Sequence, residues 1–177
     1  YFDVQNGAKL TIMDSSDSIQ DTGSTVTENM YGNKATLEND TLTYYITTST
    51  PSGTGTTEAL EQHTVTLSGA GKILCGETSD QAIRVYNGGT LEIQGGVLQN
   101  TGGKHIVCVE GGTLTMSGGY IVGGGRDNET GGGIYVNNNG TVTISDGVVA
   151  ANRGNAGGGI FVESGTLNIS GGAVAGN

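Results

Sequence analysis

The sequence predicts an all-β chain wound as a right-handed single-stranded parallel β-helix, with about 25 residues and three short strands per coil. Three observations carry that expectation: a unit that recurs along the chain, alternation of apolar and polar residues inside it, and glycine at its joints. Glycine supplies 34 of the 177 residues and proline one, so turns fall to glycine and asparagine. Tryptophan is absent and hydrophobic residues make up 34%. That is lean for a globular core. A solenoid tolerates it, because each coil buries a few aliphatic side chains and shares their burial with its neighbours.

The recurring unit is Gly-Gly-Thr90-Leu91-Glu92-Ile93-Gln94-Gly95-Gly96. It returns as Gly-Gly-Thr113-Leu114-Thr115-Met116-Ser117-Gly118-Gly119, as Asn-Gly-Thr141-Val142-Thr143-Ile144-Ser145-Asp146-Gly147, and as Ser-Gly-Thr166-Leu167-Asn168-Ile169-Ser170-Gly171-Gly172. The threonines lie 23, 28 and 25 residues apart. A weaker copy, Thr64-Val65-Thr66-Leu67-Ser68-Gly69, precedes them. Alternation at period two marks a strand with one buried face, so Leu91/Ile93, Leu114/Met116, Val142/Ile144 and Leu167/Ile169 point inward.

A second strand precedes each copy: Ile83–Val85, Val107–Val109, Ile134–Val136 and Ile160–Val162. A third follows: Val97-Leu98, Tyr120–Val122, Val148–Ala150 and Ala173–Ala175. Corners between strands need positive φ or close backbone approach, which glycine and asparagine supply at little cost. Coil length varies through excursions from Gly123 to Gly132 and from Ala151 to Gly158.

Residues 64–177 thus read as regular coils, continuous with residues 1–63 as irregular N-terminal coils carrying a capping or loop insertion. Leu10-Thr11-Ile12 reads as one core strand, with two coils between Leu10 and Val65 and Thr41-Leu42-Thr43 as a rung. The stretch Thr47–Thr57, containing Pro51, reads as an exposed loop. An irregular start would shield the end of the solenoid. Phe2-Asp3-Val4 already reads as strand and Asn177 closes no turn, so the chain is expected to continue at one or both ends.

Seven Lys/Arg against seventeen Asp/Glu give a formal charge of −10. Such a surface repels phosphate backbones and anionic lipid, arguing against nucleic-acid partners. No apolar run reaches the ~20 residues of a membrane-spanning helix, so no membrane insertion is expected in this segment. Cys75 and Cys108 lack zinc-ligand spacing; a disulfide between them or two isolated thiols are both open.

The units Gly131–Val136 and Gly157–Val162, with Gly-Gly-Thr-Leu-Thr-Met-Ser-Gly-Gly, resemble two groups. One is the long repetitive surface proteins of gut Firmicutes. The other is the passenger of polymorphic outer-membrane adhesins, whose repeat carries alanine where this chain has Gly133 and Gly159. The resemblance covers residues 64–177. It implies an extracellular or cell-surface β-helix, commonly adhesive and sometimes the scaffold of a glycan-active enzyme, meeting a host or bacterial glycan or protein.

Catalytic β-helices project carboxylates and basic residues from adjacent rungs. The best pair here is Glu110 and Glu163, each directly after the inward valine of its strand. They share a column two rungs apart, roughly 9.5 Å at ~4.8 Å per rung, near the upper separation for an inverting acid/base pair. Asn137 fills the rung between, and corner carboxylates are ordinarily solvated. The outward column Arg84, Cys108, Tyr135, Phe161 is the binding candidate, since consecutive exposed aromatics suit a sugar ring or a partner protein. The competing reading is that loop or further chain covers it.

Thr-x-Thr pairs at 64/66, 113/115 and 141/143 are explained by threonine's strand preference. Arg126, Asp127 and Glu129 read as a surface salt cluster. Asp14-Ser15-Ser16-Asp17 and Asp127-Asn128-Glu129 read as solvated turns, with Ca2+ the alternative and no other cofactor or metal implied. His63 and His105 read as isolated, His105 as a solvated corner residue. The reading therefore favours an adhesive, binding or display module over an enzyme. The alternative is a fragment of a glycan-processing β-helix enzyme of polysaccharide lyase or glycoside hydrolase type.

Overall fold

The computed structural model describes residues 2–14, 19–29, 35–47, 57–75 and 81–177. It is all-β, with parallel sheets stacked as a solenoid of about four turns joining five stacked rungs, and no helix among the described residues.

The first coil begins with β1 (Phe2–Val4) and β2 (Lys9–Ile12). The chain then leaves the solenoid to form β3 (Gln20–Asn29), β4 (Thr36–Glu38), β5 (Thr41–Thr47) and β6 (Thr57–Thr66) before β7 (Lys72–Cys75) closes the coil. Each later coil repeats three strands. The second holds β8 (Gln81–Tyr86), β9 (Thr90–Ile93) and β10 (Val97–Asn100). In the third, β11 (His105–Glu110) precedes β12 (Thr113–Val122), which supplies both remaining rungs through one bent strand. The fourth repeats that plan with β13 (Ile134–Asn137) and β14 (Gly140–Ala150). The fifth holds β15 (Ile160–Val162), β16 (Gly165–Ile169) and β17 (Ala173–Ala175).

The first face is the parallel sheet β1-β8-β11-β13-β15. On the second, Leu10 pairs with Leu91, Leu91 with Leu114, Leu114 with Val142 and Val142 with Leu167. Ile12, Ile93, Met116, Ile144 and Ile169 form the next inward column in the same way. Apart from Ile169, which is 51% exposed on the last rung, these columns and Val4, Ile83, Val107, Val109, Ile134 and Val136 make one continuous core.

The corner after the first strand shows why the unit starts with glycine. Asn87 and Gly88 both adopt positive φ, and Gly89 N–H closes the turn on the Tyr86 carbonyl at 2.9 Å. The next residue packs under the preceding coil. A Cβ at Gly112 would stand 2.7 Å from Val85 Cγ1, and one at Gly140 2.7 Å from the Val109 carbonyl.

The largest departure from the sequence expectation lies before residue 72. Lys9–Ile12 pairs directly with Thr90–Ile93, so no coil intervenes between them. Thr41-Leu42-Thr43 is not a rung: it belongs to β5, antiparallel to β4 and β6. The copy at Thr64–Gly69 is no rung either, because Thr64–Thr66 ends β6, antiparallel to both β3 and β5. The four strands between Gln20 and Thr66 form a separate sheet, β3-β6-β5-β4, inserted at one corner of the first coil. Asn39 and Asp40, both at positive φ, make the two-residue hairpin that joins β4 to β5. Most of the stretch from Thr47 to Thr57 that reads as a loop, residues 48–56, lies outside the described residues.

The inserted sheet covers a flank of the solenoid. Its Leu42, Tyr44, Val65 and Leu67 pack on Val97, Val122, Val148 and Ala150. From the second coil on, the third strand consequently opens with two apolar or aromatic residues, Val97-Leu98, Tyr120-Ile121, Val148-Val149 and Ala173-Val174. Leu98, Ile121 and Val149 face the solenoid interior, while Val97 and Val148 face the insert.

Candidate functional site

The first face carries the column nominated from sequence. Asp3, Arg84, Cys108, Tyr135 and Phe161 stand in one register across five strands. Alternation with inward neighbours, Ile83 and Val85, Val107 and Val109, Ile134 and Val136, turns these side chains outward. Outward is not the same as exposed here. Cys108 is buried, 4% exposed, and is a free thiol. Burial, then the Glu110 charge, pushes its pKa up to about 12, so it stays a neutral thiol near pH 7.

The two carboxylates expected as an acid/base pair are each held by another partner. Glu110 accepts from the Arg84 guanidinium through Nε and Nη2, and that hydrogen bond raises the arginine's pKa. Arg84 also lies 4.5 Å over the Tyr86 ring. Glu163, two strands further along, accepts from the Tyr135 hydroxyl. That bond, with burial and the Glu163 charge, pushes the Tyr135 pKa up to about 12. Asn137 pairs with Glu110 in the ladder and separates the two.

His105 is not a solvated corner residue. It is the first residue of β11, 9% exposed, and its Nδ1–H donates to the Gly131 carbonyl at 3.0 Å. Its ring stacks on Tyr135 at 4.7 Å, and Tyr135 stacks on Phe161 at 6.0 Å with planes 9° apart. The rings therefore form a row along the solenoid, faces turned to one another. What reaches solvent is ring edges, the end of the row, Arg84 and Glu163. Burial lowers the His105 pKa, partly offset by the Gly131 hydrogen bond and the Glu129 charge.

Sequence reasoning missed a second constellation, at the polar edge of the contact between insert and solenoid. His63 does not stand alone. Its Nδ1–H donates to Asp21 Oδ1 at 2.9 Å, its ring stacks on Tyr44 at 4.8 Å, and Nε2 faces Glu61 Oε1 at 3.6 Å. Tyr44 OH donates to Asp21 Oδ2 at 3.4 Å, and its pKa is raised by burial first and the Asp21 charge second. With Tyr120 and Asp146 from the solenoid they border a cleft of about 340 Å³. The ladder β5–β6 sets Tyr44 opposite His63, a signal readable only once the antiparallel pairing is known.

A longer groove of about 850 Å³ lies on the opposite side of the inserted sheet's footprint, between β4 and the stacked corner excursions. Arg126, Asp127 and Glu129 lie in the outer excursion. Arg126 donates to the Gly102 carbonyl, Glu129 N–H donates to the Arg126 carbonyl at 3.1 Å, and Asp127 lines the groove. Asp14 Oδ2 accepts from Gly71 N–H at 3.0 Å, bracing the base of the insert; residues 15–17 lie outside the described residues. Among the described residues no three His, Cys, Asp or Glu side chains gather as a metal site. Set against known protein families, curated proteins and solved structures, the chain finds no match in any of the three.

Proposed function

We propose that this chain is a module of an extracellular bacterial surface protein that binds or displays rather than transforms its partner. The observation that supports this reading is the closure of the nominated acids into separate pairs, Arg84–Glu110 and Tyr135–Glu163. An inverting hydrolase needs one carboxyl free to protonate and another free to activate water across a shared space. Here one carboxylate neutralises a guanidinium and the other accepts from a phenol. The same column offers a contact surface in Arg84, Tyr135 and Phe161, all half-buried on a rigid parallel sheet. A glycan or a protein at the cell surface is the proposed partner, met at ring edges and the end of the aromatic row.

Glycan-array binding run beside a polysaccharide-cleavage assay tests the reading. Binding without turnover is expected, weakened about tenfold by Tyr135→Ala or Phe161→Ala. Turnover that disappears in Glu110→Gln or Glu163→Gln would instead establish a glycan-processing enzyme.

A further inference from the structure

We propose that the groove between β4 and the corner excursions binds a sugar bearing a carboxylate within a short, hydroxyl-rich oligosaccharide. The inference rests on the reading of the chain as a binding module but uses a different face from the aromatic row.

The first support is how cations are used. Of the three arginines, Arg84 pairs with Glu110 and Arg126 donates to the Gly102 carbonyl. Lys9 pairs with Glu92 at 2.7 Å, and Lys72 pairs with Asp40. The Arg153 guanidinium, exposed on the groove, has neither ion pair nor hydrogen bond among the described residues. In a chain of charge −10 with seventeen acidic residues, an arginine left without one is unusual.

The second support is that the backbone beneath that guanidinium is fixed. Arg153 N–H donates to the Gly124 carbonyl at 2.7 Å. The Arg153 carbonyl lies against Gly125 and Gly132, where a Cβ on either glycine would collide with it. The neighbouring Asn152 is 2% exposed and fully used. Its Oδ1 accepts from Gly124 N–H at 2.9 Å, and its Nδ2 donates to the Ile121 carbonyl at 3.0 Å and to Asn177 Oδ1 at 2.9 Å. From that fixed backbone the exposed side chain offers a planar fork matched to a carboxylate.

Composition of the walls selects the rest of the ligand. Glu38 and Asp127 also line the groove and make no ion pair among the described residues. Two carboxylates beside one guanidinium repel polyanions such as nucleic acid. They accept from hydroxyls readily, and Gln99 and Thr101 add an amide and a hydroxyl. The lining runs from Gln99 in the second coil to Asn177 beyond the fifth, three rung steps or about 14 Å. One carboxylate, several hydroxyls and an extended shape describe an acidic oligosaccharide.

The test is an amide-resolved NMR titration of the whole chain with sialyl-lacto-N-tetraose, which bears one carboxylate, and, as the neutral counterpart, lacto-N-tetraose. The acidic sugar should shift Gly123, Gly124, Gly125 and Gly154. The neutral one should bind at least about tenfold more weakly. Arg153→Gln should reduce the acidic sugar to the neutral level, with Arg153→Lys between, since lysine keeps the charge and loses the fork. Equal response to both sugars, undiminished binding by Arg153→Gln, or no groove shift at millimolar ligand would overturn the inference. Any of these leaves the binding-module reading standing if the aromatic row still takes a partner; turnover of either sugar removes that reading instead.

Discussion

At the scale of single residues, this solenoid places titratable groups where its ladders force them. His105 begins β11, so the strand carries it under the Tyr135 ring instead of leaving it at a wet corner. Burial lowers its pKa below 6.5, while the unfolded chain keeps the ordinary value. Between those two values the unfolded state binds more protons, so stability is present above about pH 6.5 and falls as pH drops through it. Lys104 adds to that lowering; Glu129 and the Gly131 carbonyl oppose it. Urea midpoints between pH 8 and pH 5.5 should fall, and the part due to this ring should vanish in His105→Phe. That variant keeps a ring against Tyr135 and loses the Gly131 hydrogen bond, costing about 1 kcal/mol at pH 8. An unchanged slope in His105→Phe would show that other groups carry the dependence.

At the scale of elements, the third strand of each coil is the informative one. Val148-Val149-Ala150 and Ala173-Val174-Ala175 do not alternate, unlike Thr141-Val142-Thr143-Ile144. Val148-Val149-Ala150 is buried on both faces, with the inserted sheet as its outer cover, while Val174 on the last rung stays 44% exposed. Leu42, fully buried in that contact, should cost about 2–5 kcal/mol on truncation to alanine. The loss is measurable by chemical denaturation. A change under about 0.5 kcal/mol would mean that the insert does not dock on the flank. Tyr44 and His63 lie at the polar edge of the same contact, so Leu42→Ala should also move their ring resonances.

At the scale of the whole molecule, the coils from Gln81 onward were legible because their alternation and glycine joints recur in one register. The columns Leu91–Leu114–Val142–Leu167 and Cys108–Tyr135–Phe161 follow from it. The inserted sheet was not legible. Thr64-Val65-Thr66-Leu67 alternates just as Thr113-Leu114-Thr115-Met116 does, and period two is the same for parallel and antiparallel strands. Only the partner distinguishes them, and partners lie far apart in sequence. The Asn39-Asp40 pair was the one local sign of a hairpin. The groove around Arg153 stayed hidden for a related reason, since β4 comes from the insert while Gly123–Gly125 and Arg153 come from corner excursions.

The central claim is that β1, β2 and β7 make one coil with the sheet β3-β6-β5-β4 inserted in it, leaving a solenoid flanked by grooves. Interstrand nuclear Overhauser contacts on uniformly labelled protein test it most directly. The pairing described here predicts parallel-strand contacts between Leu10 and Leu91, and antiparallel contacts joining Asp21 to Val65 and Val65 to Leu42. Contacts running from Val65 and Leu67 to Leu91 and Ile93, with none from Leu10, would restore a full coil at residues 64–69 and contradict it.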